Sequence, residues 1–237
     1  MTYITVALNV SPHLCINETS RLHRIIIYWD CSTLDKILWV IDTRKEEDFK
    51  KGHLYHSINL MEKGKFETWL GSIIKPEENF YLVSDSKEQL QTMLERTASI
   101  GYESQVAERF VIHSGIIKEE RINVDEFKNH QQDYTIVDVR NTSEVKEGKI
   151  FQNSISIPLA EIRNRVNEIP TDKPIVVHCA GGHRSAGASS LIHAQLNGTV
   201  KVFELGEAIK QSNKRRRCII YTKNTGKMFL QQKQKMK

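Results

Sequence analysis

The sequence predicts an α/β protein of two tandem units, each a small, mostly parallel sheet with helices on both faces. The first observation behind this is an internal repeat. Residues 38–52 (LWVIDTRKEEDFKKG) lie over residues 134–148 (YTIVDVRNTSEVKEG), sharing Asp42 with Asp138, Arg44 with Arg140, Lys50 with Lys146 and Gly52 with Gly148. Two copies of one pattern mean two copies of one folding unit. The second is the alternation of short apolar runs, such as NFYLVS (79–84) and PIVVHC (174–179), with helical patterns over 89–100 and 185–196. Strands that alternate with helices make parallel sheets covered by crossover helices. The third is size and composition. The 237 residues, 39% hydrophobic and 27% charged, can fill one large core or two small ones, and five prolines and twelve glycines are too few for a fibrous or low-complexity chain.

Along the chain, residues 1–24 show no period and stay unassigned. Residues 25–112 form the first unit, in which the strand at 38–42 leads through a helix to SINL (57–60) and then to the strand at 79–84. Residues 113–212 form the second unit, with SISI (154–157) in the place of SINL and PIVVHC in the place of NFYLVS; the join falls between Ala107 and Ile122. Residues 213–237 are a basic tail. The net charge of +5 conceals this asymmetry, because residues 210–237 carry ten Lys and Arg and no acid, leaving 24 basic and 29 acidic residues in the body. No apolar run approaches the roughly 20 residues that span a bilayer, and the first residues lack a basic, then apolar, export signal. Four cysteines at 15, 31, 179 and 218, without CxxC pairing, suit a reducing cytoplasm rather than a disulfide framework or a structural metal site.

The chemistry concentrates at residues 178–191, HCAGGHRSAGASSL. An apolar strand ends on Cys179, the loop Ala180, Gly181, Gly182 and His183 follows, and a helix begins near Arg184. Backbone N–H groups of a short loop ahead of a helix N-terminus lack intrahelical acceptors and form an anion cradle. A cysteine on its rim, beside a guanidinium, would be held as thiolate, the nucleophilic form. The glycines admit a ligand close to the backbone, and Ala186, Gly187 and Ala188 let the helix pack tightly.

These residues resemble the rhodanese family of sulfurtransferases over roughly residues 122–211: Asp138 to Arg140 as its DVR strand end, Gly148 to Pro158 as its GHIPGAINIP stretch, the CAGGHR loop, and a closing segment from Val202 to Ile209. The resemblance implies that Cys179 takes a sulfane sulfur as a persulfide and passes it to a thiol or cyanide, with Ala180, Gly181, Gly182, His183 and Arg184 binding the donor. It implies no cofactor. Its partners would be a small anionic sulfur donor (thiosulfate, polysulfide or a low-molecular-weight persulfide), a thiol acceptor, and a protein donor or acceptor. The first unit resembles the same fold through IDTRKEEDFKKGHLYHSINL, but YLVSDSKEQL stands where the second has VVHCAGGHRS, so Ser84 or its neighbour falls at the nucleophile position, without paired glycines or arginine. Serine forms no persulfide and Asp85 would repel anions, so this unit reads as a degenerate, inactive copy. Tandem pairs of this kind also end fusions with metallo-β-lactamase-fold persulfide dioxygenases; the chain has no HxHxDH motif, and that activity is not carried over.

Blander readings accompany these. Cys179 could be an ordinary buried cysteine. His178 should point to the face opposite Cys179 and pack in the core. Asp138 and Arg140 read as a structural strand-end pair, because Asp42 and Arg44 repeat it in the unit with no nucleophile. His53 and His56 form an HxxH without a third metal ligand at suitable spacing. Cys15 and Cys31 are bland, and Cys218 adjoins Lys214 to Arg217, a field that favours thiolate. The tail reads as a solvated end, since few aromatics interleave with its charges as nucleic-acid binding would require. A cysteine phosphatase or arsenate reductase would need five residues between its cysteine and arginine, whereas four separate Cys179 from Arg184. A non-catalytic interaction module is the reading from another class.

Overall fold

A computed structural model describes residues 38–206; the unassigned N-terminal segment, Cys15, Cys31, Cys218 and the basic tail lie outside the described residues. The chain divides into two compact units that part between Glu120 and Arg121. Each holds a four-stranded sheet in which every neighbouring pair is parallel.

In the first unit the order along the chain is β1 (Trp39–Asp42), α1 (Glu46–Lys51), β2 (Ser57–Asn59), α2 (Phe66–Ile73), β3 (Phe80–Ser84), α3 (Lys87–Ala98) and β4 (Val106–Val111), and the sheet order is β2-β1-β3-β4. The second opens with α4 (Val124–Asn129) and continues through β5 (Thr135–Asp138), α5 (Thr142–Glu147), β6 (Ile155–Ser156), α6 (Leu159–Arg165), β7 (Ile175–His178), α7 (His183–Gln195) and β8 (Val202–Glu204), ordered β6-β5-β7-β8. The two sheets therefore share one topology, as the sequence repeat requires. Among the described residues, no helix is long and apolar enough to cross a membrane.

Local sequence accounts for the elements. The central strands are buried on both faces, as in Thr135–Asp138 and Ile175–His178, which explains their continuous apolar runs. Helix α1 carries Glu46, Glu47 and Asp48 in its first turn and Lys50 and Lys51 in its last, matching the helix dipole. Helix α5 starts on a capping box between Asn141 and Glu144. Helix α7 is different. It has no acid in its first turn, and Ser185 through Ile192 are buried without a break, so small side chains let it sink against the sheet.

The Asp-x-Arg motif shared by the repeat closes the same clip in each unit. Arg44 donates through Nε and Nη2 to the Asp42 carboxylate and through Nη2 to Gly52 O at 2.9 Å. Arg140 does the same to Asp138 and to Gly148 O at 3.0 Å. Three of the four residues identical between the copies thus serve one hydrogen-bond set. In the first unit the chain after β4 packs back through a two-bond bridge between His53 and Ile117 and through Arg44 Nη1 to His113 O. The approach is so close that a Cβ on Gly115 would stand 2.2 Å from the His53 carbonyl, so only glycine fits there.

Candidate active site at the β7–α7 loop

In the second unit β5 pairs with β7 so that Asp138 lies opposite His178, and Val139 N donates to His178 O at 3.0 Å. Cys179 is the next residue, where the strand leaves the sheet, and it is buried at 2% exposure. His178 points to the other face, as its place one residue from Cys179 requires. Its ring meets Phe151 edge-on at 4.9 Å, beside the core of Phe127, Ile136 and Val176.

From Cys179 the chain turns through Ala180 and Gly181 to Gly182, the N-cap of α7, with φ 99° and ψ −34°. That backbone region suits glycine and strains any residue with a side chain. The turn aims the Gly182 N–H at Cys179 Sγ, 3.1 Å away. An N–H donor at the positive end of a 13-residue helix favours negative charge on sulfur. Gly181 faces open space, since a methyl group there would meet no heavy atom within 4 Å. Ala180 is exposed, and His183 begins the helix half-buried.

Arg184 has a protein partner that the sequence does not reveal. Its Nη1 and Nη2 donate to the two oxygens of Glu144, at 2.5 and 2.9 Å. These bonds hold the Glu144 carboxyl down at about 2, and they lead the causes that raise Arg184, ahead of the smaller attraction of Cys179 and Asp138. Glu144 also accepts from Asn141 N, so one carboxylate both caps α5 and fixes the arginine beside the loop. A carboxyl with a lowered folded value stabilises the fold above its unfolded value and loses that contribution as pH falls through the folded one. We expect acid between about pH 5 and 2 to remove roughly 1 kcal/mol from the wild type, discounted for the partial exposure of the pair, and to spare Glu144→Gln that loss. Urea midpoints at several pH values measure this; equal acid slopes in both proteins would contradict it.

Two further residues complete the site, and neither stands out in the sequence. Ser185 Oγ lies 3.6 Å from Cys179 Sγ and donates toward Gly182 O (2.8 Å) or Glu204 Oε2 (3.1 Å). Glu204 ends β8, is 3% exposed, and stands in register with Val177, two residues before the cysteine. The one sequence signal for it is an acid inside the apolar strand VFEL.

The same position in the first unit is arranged otherwise. Asp42 pairs with Val83 as Asp138 does with His178, so Ser84 is the register equivalent of Cys179. Thr43 Oγ1 donates to Val83 O, leaving Ser84 Oγ to donate to Thr43 Oγ1 at 2.6 Å. Only Asp85 and Ser86 precede α3, a loop shorter than that of the second unit. The Gln89 side chain ties this loop down, accepting from Asp85 N and donating to Thr43 O and Glu62. His53 and His56 have separate settings: His53 stacks on Phe49 at 4.0 Å, and His56, with φ 55°, lies beside Trp39.

Residues 123–211 match the family described as rhodanese-like domain. An uncharacterized protein of Bacillus subtilis (strain 168), YqhL, is 31% identical over 87 residues, which are 37% of this chain and 67% of that one. The chain belongs to the rhodanese family. A sulfurtransferase of Allochromatium vinosum is 33% identical over 69 residues, 29% of this chain and 64% of that one, so the matched stretch spans about two thirds of each of these relatives. Among solved structures, a rhodanese-related protein from Thermoplasma volcanium is 32% identical, covering 40% of this chain and 92% of that one, with a TM-score of 0.35. The rhodanese match contains every side chain placed around the β7–α7 loop, from Asp138 to Glu204.

Proposed function

We propose that this rhodanese is a sulfurtransferase that carries sulfane sulfur as a persulfide on Cys179. The observation that carries the reading is the Cys179 sulfur receiving the Gly182 N–H at 3.1 Å at the start of α7. The donor would be a small anion such as thiosulfate, a polysulfide or a low-molecular-weight persulfide, entering over the open side of Gly181. The Cys179 thiolate attacks its outer sulfur, the donor S–S bond breaks, and sulfite or a thiolate leaves with the bonding pair. An acceptor thiol or cyanide then attacks the outer sulfur of the persulfide and returns the thiolate. The loop N–H groups favour the charge on sulfur in both half-reactions. The cycle needs a free thiol, which a reducing compartment such as the cytoplasm maintains.

In this reading Asp138 and Arg140 hold the strand end, Glu144 holds Arg184 beside the loop, and the first unit is a degenerate copy without a reactive group. Support for the last point is the bonded Ser84 hydroxyl and the Gln89 side chain that ties down the shorter loop. The engaged guanidinium and the four-residue spacing also speak against a phosphate-binding loop.

The test is the intact mass of the full chain after incubation with thiosulfate or glutathione persulfide. Wild type should gain one sulfur atom that cyanide removes, and Cys179→Ser should gain none. A wild type that takes sulfur from neither donor, or a Ser variant that takes it equally, would end the proposal.

A further inference from the structure

A buried carboxylate in an apolar strand is expensive unless it is bonded, and Glu204 is the group at this site that sulfur transfer as described leaves unused. Its placement follows from the sheet. Val177 and Cys179 share a face of β7, Glu204 is in register with Val177 on the neighbouring strand, and α7 covers that face with Ser185. The thiol donates to Ser185 Oγ at 3.6 Å, and the Ser185 hydroxyl, with Gly182 O at 2.8 Å as its other acceptor, reaches Glu204 Oε2 at 3.1 Å. All three residues are buried, at 2%, 0% and 3% exposure.

We infer that Glu204 is the internal acceptor of the Cys179 proton, a positioning residue that acts through the Ser185 hydroxyl. The inference rests on the reading of Cys179 as the sulfur-accepting group. The step balances without a co-reactant. The Cys179 S–H bond breaks as its proton passes to Ser185 Oγ, the Ser185 hydroxyl proton passes to the Glu204 carboxylate, and a thiolate, a serine and a neutral carboxyl remain. No net charge is created in the interior, which is the advantage of an internal acceptor for a cysteine that solvent barely reaches. When the thiolate spends its charge on a donor, the released anion leaves, and the persulfide formed on Cys179 is itself anionic, so Glu204 keeps the proton until the acceptor step restores the thiolate.

Among the described residues, the ionisable groups at this end of the unit include His178, the Asp138–Arg140 pair, His183, and Arg184 with Glu144. All remain in every variant below, so a difference between variants isolates Glu204.

The test is the rate of alkylation of Cys179 by iodoacetamide, a small neutral reagent, across about pH 5 to 10 on the full chain. Two groups that share a proton titrate as a pair, so the wild-type rate should rise in two steps. Glu204→Gln should rise in one, with a rate near pH 6 about tenfold below wild type. Ser185→Ala should behave as Glu204→Gln does, and Ser185→Thr, which restores the hydroxyl, should recover both steps. The Ser185 pair reports on the path even if Glu204→Gln does not fold. A one-step wild type, or a two-step profile kept by Glu204→Gln or Ser185→Ala, would overturn the inference. Sulfur uptake separates the two ideas: a two-step profile without persulfide formation would remove the sulfurtransferase reading and leave the proton path standing.

Discussion

Asp138→Ala should cost the second unit about 3 to 5 kcal/mol, the scale for removing one partner of a buried ion pair. Asp138 is fully buried and receives Arg140 through backbone N, Nε and Nη2. Without it the guanidinium keeps its bond to Gly148 O and stays in the interior as an uncompensated charge. Against a total stability of roughly 5 to 15 kcal/mol, this loss takes a large share of the fold. It should also reach the cysteine, because Asp138 lies opposite His178 in the sheet, one residue before Cys179. Urea unfolding of the full chain gives the first effect and the alkylation rate of Cys179 the second. Replacing both partners by apolar residues of similar size should recover most of the stability. A loss under about 1 kcal/mol for the single variant would show that the clip is dispensable.

Gly182→Ala should lower the rate of sulfur uptake about tenfold or more, the equivalent of one hydrogen bond to a charged group. At φ 99° the alanine Cβ strains the backbone by roughly 1 to 3 kcal/mol. The chain relieves that strain by turning the peptide, which carries the N–H away from Cys179 Sγ. Uptake and stability therefore fall together, whereas Cys179→Ser should remove uptake and leave stability nearly unchanged. Gly182→Ala with a wild-type uptake rate would mean that this N–H has no part in stabilising the sulfur.

Much of the fold was legible because its determinants are local or periodic. The Asp-x-Arg pair and the glycine eight residues beyond the arginine reappear in the structure as one clip, which accounts for their presence in both units although the loops differ. The strand ending on Cys179, the glycine turn and the buried small-residue helix were legible in the same way, each being a property of consecutive residues. What escaped depended on register between strands and on packing between elements. The partner of Arg184 lies 40 residues earlier on α5, and no local spacing connects Arg184 to Glu144. Ser185 and Glu204 are 19 residues apart and meet only because β8 lies beside β7 under α7. Gln89 reads in the sequence as one more polar helix residue, and its work in tying down the shorter loop follows from three-dimensional closeness to Asp85, Thr43 and Glu62.

The bonded Ser84 position would leave a thiol placed there little freedom to react. Ser84→Cys would put sulfur at that site, but the new thiol would sit under Thr43, with a loop shorter than that of the second unit and a glutamine across it. Matching the arrangement around Cys179 would take an inserted residue, a glycine at the cap and the removal of the Gln89 side chain together.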